Sequence, residues 1–194
     1  MRDHSDTRAR IQQVALELFT EQGYEATSLR EIAERLGVTK AALYYHFKTK
    51  EDIVGSLVQD RIAALEAMIE WAGAQPPGPR LRREFLERYA EELQQGRHHE
   101  LIRFFERNQT ALRDHPKSAQ MRDCTFRVID LLTAPDESVV MRLKASMALL
   151  TLHATWFVLQ DPAITDGQRK DASLQVALEL IETAAPAPAG TGQA

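Results

Sequence analysis

The sequence predicts an all-α fold of about nine helices, on three observations. Apolar residues recur at helical spacing along most of the chain, while no strand alternation and no internal repeat appears. Proline and glycine punctuate these stretches, as in AGAQPPGP at 72–79 and in Asp161-Pro162. Ser28 to Lys50, SLREIAERLGVTKAALYYHFKTK, reads as two short helices joined by a tight turn and followed by the start of a third. At 194 residues the chain can bury a sizeable core, as one domain or two small ones.

The first helix is expected to start at Asp6 or Thr7 and to end at Gly23. Ile11, Val14, Ala15, Leu18 and Phe19 form one stripe along it. Ser28 can cap the second helix, with Glu31 three residues on completing a capping box. Ile32, Ala33 and Leu36 are its apolar face. Gly37 stands where the chain reverses and a positive φ favours glycine. Val38 fits the angle between the helices. Thr39 can cap the third helix, in which Leu43 and Phe47 lie four apart and face inward. Thr39, Lys40, Ala41, Tyr44 and Tyr45 are left on the outside. Thr49 can cap the next helix, with Asp52 three residues later.

That fourth helix runs from Lys50 to about Ala72, a length of roughly 33 Å at the usual rise. Ile53, Val54, Leu57, Val58, Ile62, Leu65, Met68 and Ile69 give it a wide apolar face. Further helices are expected over 80–95, 97–112, 117–132, 136–160 and 166–183. The helix over 136–160 is the most apolar. Its second half, MALLTLHATWFVLQ, is greasy around most of its circumference and so asks for burial on more than one side. Thr165 and Gln168 offer a capping box for the last helix. The tail, 185–194, is low in complexity and expected to be disordered.

Net charge is -4, so the chain is not a general nucleic-acid coat. Its distribution is uneven. Arg30, Arg35, Lys40, Lys48 and Lys50 outnumber Glu31 and Glu34 between Ser28 and Lys50, leaving an acidic remainder. A local basic face on an acidic body fits sequence-selective DNA binding. The single cysteine, Cys124, excludes an intrachain disulfide and reads as a plain buried thiol. A polar N-terminus and the lack of a long apolar run lead to the expectation of a cytoplasmic protein without a membrane span.

Two neighbouring tyrosines on an exposed short helix find a reason in a helix-turn-helix, whose second helix enters the major groove led by its N-terminal residues. Small Thr39 and Ala41 permit close approach. Lys40 can donate to a guanine edge or a phosphate, and a tyrosine hydroxyl can donate to a phosphate. Lys50 falls beside helix N-terminal amides that favour an anion. These residues resemble the DNA-binding domain of the TetR family of bacterial transcriptional regulators. The match is carried by Phe19, Gly23-Tyr24, Thr27-Ser28, Ile32-Ala33, Leu36-Gly37-Val38, Leu43-Tyr44, His46-Phe47 and Lys50-Glu51-Asp52. It covers about the first fifty residues; beyond them the chain matches only in length and helical plan. The resemblance implies phosphate contacts by Thr27, Ser28, Tyr44, His46 and Lys50. It implies that Arg30, Thr39, Lys40, Ala41 and Tyr45 face bases or the groove. It also implies a homodimer, its last two helices pairing as a four-helix bundle, on a palindromic operator.

The resulting division is a helix-turn-helix domain over 1–48, a ligand-binding and dimerisation body over 49–184, and the tail. In the body, Phe85, Tyr89, Phe104, Phe105, Phe126, Met147 and Trp156 with Asn108, Thr125 and Thr151 could line an apolar pocket with a few neutral anchors. A small apolar effector is the expected ligand. His153 reads first as a core histidine bonded to a neighbour. His98 and His99 point about 100° apart and have no ligand type four residues on, so no metal is expected. No catalytic triad, phosphate loop or paired carboxylates stand out, and neither an enzyme nor a cofactor is expected. The alternative is a DNA-binding regulator whose body only dimerises or binds a protein; an enzyme with a DNA-binding appendage has little support.

Overall fold

The computed structural model describes residues 2–95, 100, 101, 104, 108, 117–134 and 136–182. Among them are eight α-helices: α1 Arg2–Glu21, α2 Leu29–Leu36, α3 Lys40–His46, α4 Lys50–Gly73, α5 Pro79–Gln95, α6 Ser118–Leu132, α7 Val139–Val158 and α8 Asp166–Glu182. No strand occurs among the described residues. The helix expected over 97–112 lies largely outside them, although Glu100, Leu101 and Phe104 are helical. The tail, His98 and His99 also lie outside them.

The chain packs as two units, Met1–Ala67 with Arg97–Cys124, and Met68–Gly96 with Thr125–Ala194. This partition by packing differs from the functional boundary expected at 48/49, because α4 continues into the core of the first unit. There, Ile11, Ala15, Leu18 and Phe19 of α1 are buried together with Ile32, Leu43, Ile53, Val54 and Ile62. α1 starts at Arg2 rather than at Asp6 or Thr7; no glycine or proline precedes those residues to stop it. Its buried face also takes Gln12, which an apolar stripe cannot reveal. The Gln12 amide donates to Ser56 Oγ at 2.9 Å and to Asp60 Oδ2 at 2.6 Å, fixing α1 on α4.

The second unit is built on α5, α7 and α8. Phe85, Leu86, Tyr89 and Leu93 of α5 are buried, as are Ala145, Ala148 and Leu152 of α7 and Ala177 and Ile181 of α8. Ion pairs between Arg83 and Glu182, at 2.6 Å, and between Lys170 and Glu91, at 2.8 Å, join α5 to α8. α5 opens on Pro79, whose missing N–H costs nothing in a first turn. α7 begins at Val139 rather than at Asp136, because the Ser138 hydroxyl accepts from the Met141 amide at 3.2 Å and caps the helix there. It stops at Val158, two residues short of the expected Gln160. The Thr165–Gln168 capping box forms as expected, with Gln168 Oε1 2.9 Å from the Thr165 amide.

Candidate nucleic-acid interface

The helix-turn-helix is assembled by its caps. Ser28 Oγ accepts from the Glu31 amide at 3.2 Å, and the Glu31 carboxylate accepts from the Ser28 amide at 2.7 Å. These bonds from Ser28 hold the Glu31 carboxyl below the usual glutamate range, the side-chain bond contributing most. Gly37 ends α2 in the left-handed region, φ 69° and ψ 28°. Its amide bonds the Glu34 carbonyl while that of Val38 reaches back to Ala33. Thr39 Oγ1 accepts from the Ala42 amide at 3.1 Å and starts α3. Leu43 is fully buried and Phe47 nearly so, which fixes the rotation of the short helix.

That rotation leaves Thr39, Lys40, Ala41 and Tyr45 in solvent, with Tyr45 68% exposed. Tyr44 and His46 are half-buried. The Tyr45 ring meets the His46 ring edge-on at 5.4 Å, and the Lys40 ammonium lies 5.3 Å from the Tyr44 ring centre. Arg30 is exposed on α2 and paired with Glu34 at 2.7 Å. Ser28 is exposed at the α2 N-terminus. Of the residues expected at DNA, the structure thus brings Ser28, Arg30, Thr39, Lys40, Ala41, Tyr44, Tyr45 and His46 to accessible positions on the helix-turn-helix.

Two residues depart from expectation. Thr27 is buried, its hydroxyl donating to the Gly23 carbonyl at 2.8 Å and accepting from the Gln22 amide group at 3.2 Å. It shapes the turn and does not present itself to a phosphate. Lys50 points inward: its Nζ donates to the Tyr24 carbonyl at 2.6 Å and lies 4.4 Å from the centre of the Tyr24 ring. The α4 N-terminus is also occupied. The Lys48 and Thr49 amides both donate to Asp52 Oδ2 at 3.0 Å, while Thr49 Oγ1 accepts from the Asp52 amide. The expected anion site there is filled by the chain's own carboxylate. The sequence shows the Thr49–Asp52 pair, but not that the Asp52 carboxylate takes the amides of Lys48 and Thr49.

The residues expected to line a pocket fall in both units. Phe104 is fully buried in the first unit, stacked on Phe19 at 5.4 Å and set edge-on to Tyr24 at 5.8 Å. Asn108 turns its side chain back to the Phe104 carbonyl at 2.8 Å. Phe105 lies outside the described residues. In the second unit Phe85 and Tyr89 are core, and the Tyr89 hydroxyl meets His153 Nε2 at 2.8 Å, as the core reading of His153 expects. Thr125 is exposed. Phe126 and Met147, expected inward, are 63% and 44% exposed because their helices turn other apolar residues to the core. Trp156 is half-buried beside Arg169. A concavity of about 280 Å³ on α7 and α8 is lined by Thr151, Ala154, Thr155, Val158, Leu159, Ala172, Ser173 and Val176. Thr151 alone of the expected residues lines it. Cys124 is buried, and no metal-binding cluster occurs among the described residues. None of the helices searched among them is long and apolar enough to cross a membrane.

Residues 11–57 match the family described as bacterial regulatory proteins, tetR family. The transcriptional regulator AcrR of Shigella flexneri is 43% identical over 77 residues, 38% of this chain and 35% of that protein. The aligned part therefore spans about a third of this relative's length. Solved structures extend the likeness in fold to nearly the whole chain. The TetR-family regulator PfmR of Thermus thermophilus superposes with a TM-score of 0.68 at 24% identity, over 89% of this chain and 97% of that one. The ketosteroid transcriptional regulator KstR2 of Mycobacterium tuberculosis gives 0.65 at 20% identity, over 90% and 93%.

Proposed function

We propose that this chain, whose residues 11–57 match the TetR family of bacterial regulatory proteins, is a homodimeric repressor that a small apolar molecule releases from a palindromic operator. The observation that carries the DNA reading is α3 itself. Its packing rests on Leu43 and Phe47, while Thr39, Lys40, Ala41 and Tyr45 are exposed on its outer side. Arg30, Thr39, Lys40, Ala41 and Tyr45 are the candidates to face bases or the groove, and Ser28, Tyr44 and His46 are the candidate backbone contacts. Support for a dimer comes from α7, which exposes Val139, Val140, Leu143, Met147, Leu150 and Val158. A strip this apolar on a solvent face asks for a partner.

The effector reading rests on composition. The buried side chains of the body are mostly aromatic and aliphatic, among them Phe85, Leu86, Tyr89 and Leu152, which suits a mostly apolar ligand. Such a ligand lowers operator affinity only by the extent to which it prefers the non-binding arrangement of the dimer. The test begins with selection of bound duplexes from a random pool. Enrichment of a palindrome is the expected result, and no enrichment defeats the DNA reading. On the selected duplex, Lys40→Ala is expected to relax preference at one or two base pairs, by about 1–3 kcal/mol each. A uniform loss across sequences would make Lys40 a phosphate contact. Neutral hydrophobic compounds are then screened against the complex. If compounds bind the body and operator affinity never changes, the body only dimerises or binds a protein.

A further inference from the structure

Tyr24, in the turn between α1 and α2, is held from several directions. Its ring packs on Phe19 at 5.0 Å and on Phe104 at 5.8 Å. Its hydroxyl donates to Glu51 Oε1 at 2.9 Å. Its carbonyl accepts from Lys50 Nζ at 2.6 Å, and the same ammonium sits 3.4 Å from the Glu25 carbonyl and over the Tyr24 ring. Two successive residues in the first turn of α4 therefore grip the turn that precedes α2. Thr27 closes that turn from inside, and the next residue, Ser28, is the cap of α2.

We propose that Lys50 and Glu51 are positioning residues: they pin the 23–27 turn to the first turn of α4, and Lys50 serves DNA binding through this hold rather than by neutralising a phosphate. The inference rests on the DNA-binding reading above. A lysine ammonium has three donors, and two carbonyls and an aromatic face draw this one inward. A phosphate at the α4 N-terminus would meet the Asp52 carboxylate, which already accepts the amides of Lys48 and Thr49. Burial, and then the bond to Glu51, push ionisation of Tyr24 above its ordinary range, so the hydroxyl remains a donor at neutral pH. Glu51 is held below the usual glutamate range, first by its own backbone amide, and remains an acceptor. The pin is made of charge-assisted bonds across the turn, which are the stronger kind.

The experiment uses the full chain, the duplex it selects from a random pool, and the variants Lys50→Met, Lys50→Arg and Tyr24→Phe. Operator affinity is measured across a salt series, and hydrogen exchange of the 24–28 amides is followed in the free chain. Lys50→Met is expected to weaken binding about 10-fold, one charge-assisted bond's worth, with the slope of log affinity on log salt unchanged. Its 24–28 amides should exchange faster. Lys50→Arg, which can still donate to the carbonyls, should recover most of the affinity. A slope shallower by about 0.9, the loss of one phosphate contact, overturns the proposal, as does unchanged exchange. Should Lys50→Met fail to fold, Tyr24→Phe removes one hydroxyl only. Faster exchange and weaker binding at constant slope then support the hold, and parental behaviour in both overturns it. If the parent selects no duplex, the DNA-binding reading fails and this proposal falls with it, whereas a parent that binds while the slope changes defeats the proposal alone.

Discussion

Gly37 adopts φ 69°, and a Cβ built there meets nothing within 4 Å. The cost of a side chain at this position is therefore one of backbone conformation alone. Gly37→Ala is expected to destabilise by about 1–2 kcal/mol, seen as a lower urea midpoint at unchanged m-value; an unchanged midpoint would contradict it. Glu31 gives a second expectation at this scale. Its folded pKa is depressed by its bonds to Ser28, so its stabilisation is present above the ordinary glutamate value of 4.5 and is lost as pH falls through the depressed one. The stability gap between the parent and Glu31→Gln should be full near neutrality and close in acid; a gap that persists in acid would remove the carboxylate from the explanation. Both features were legible in the sequence, because caps are local and their partners sit at fixed spacings. Thr27 and Lys50 were not. A hydroxyl or an ammonium looks the same in sequence whether it turns to solvent or to a carbonyl 26 residues away, as Lys50 does.

α7 shows how far periodicity reaches. Its greasiness on several sides was readable, and the structure buries one side through Met141, Ala145, Ala148 and Leu152 while exposing Val139, Val140, Leu143 and Leu150. Which side faces the chain's own core was not readable, since both are apolar; Met147 was assigned inward for that reason and lies outward. If the exposed strip pairs two copies, Leu143→Glu places a charge in it without touching the core. Sedimentation is then expected to show monomers where the parent sedimentates as a dimer, with thermal unfolding of the secondary structure still cooperative. A dimer undisturbed by the change would move the interface elsewhere. The start of α7 at Val139 teaches the same lesson in reverse, because the Ser138 cap sets it three residues later than the expected 136.

For the whole molecule, the all-α plan was legible because helical stripes, caps and proline-glycine breaks agreed along the chain, whereas the pocket was not. A cavity is set by the mutual placement of helices, which composition does not give; Phe104 packs with Phe19 and Tyr24 in the first unit, and Phe85 is core of the second. If two copies read one operator, their recognition helices enter successive major grooves about 34–36 Å apart. Inserting about 5 bp between half-sites, half a helical turn, is then expected to reduce binding to that of one half-site, as measured by titration of labelled duplexes. Tight binding to the lengthened site would exclude simultaneous reading by a fixed pair. The division of labour on α3 has one more consequence. Leu43 and Phe47 anchor the helix while Lys40, Ala41 and Tyr45 take little part in the packing. If this face reads an operator, the sequence it prefers can be rewritten on one side of a seven-residue helix without renegotiating the fold.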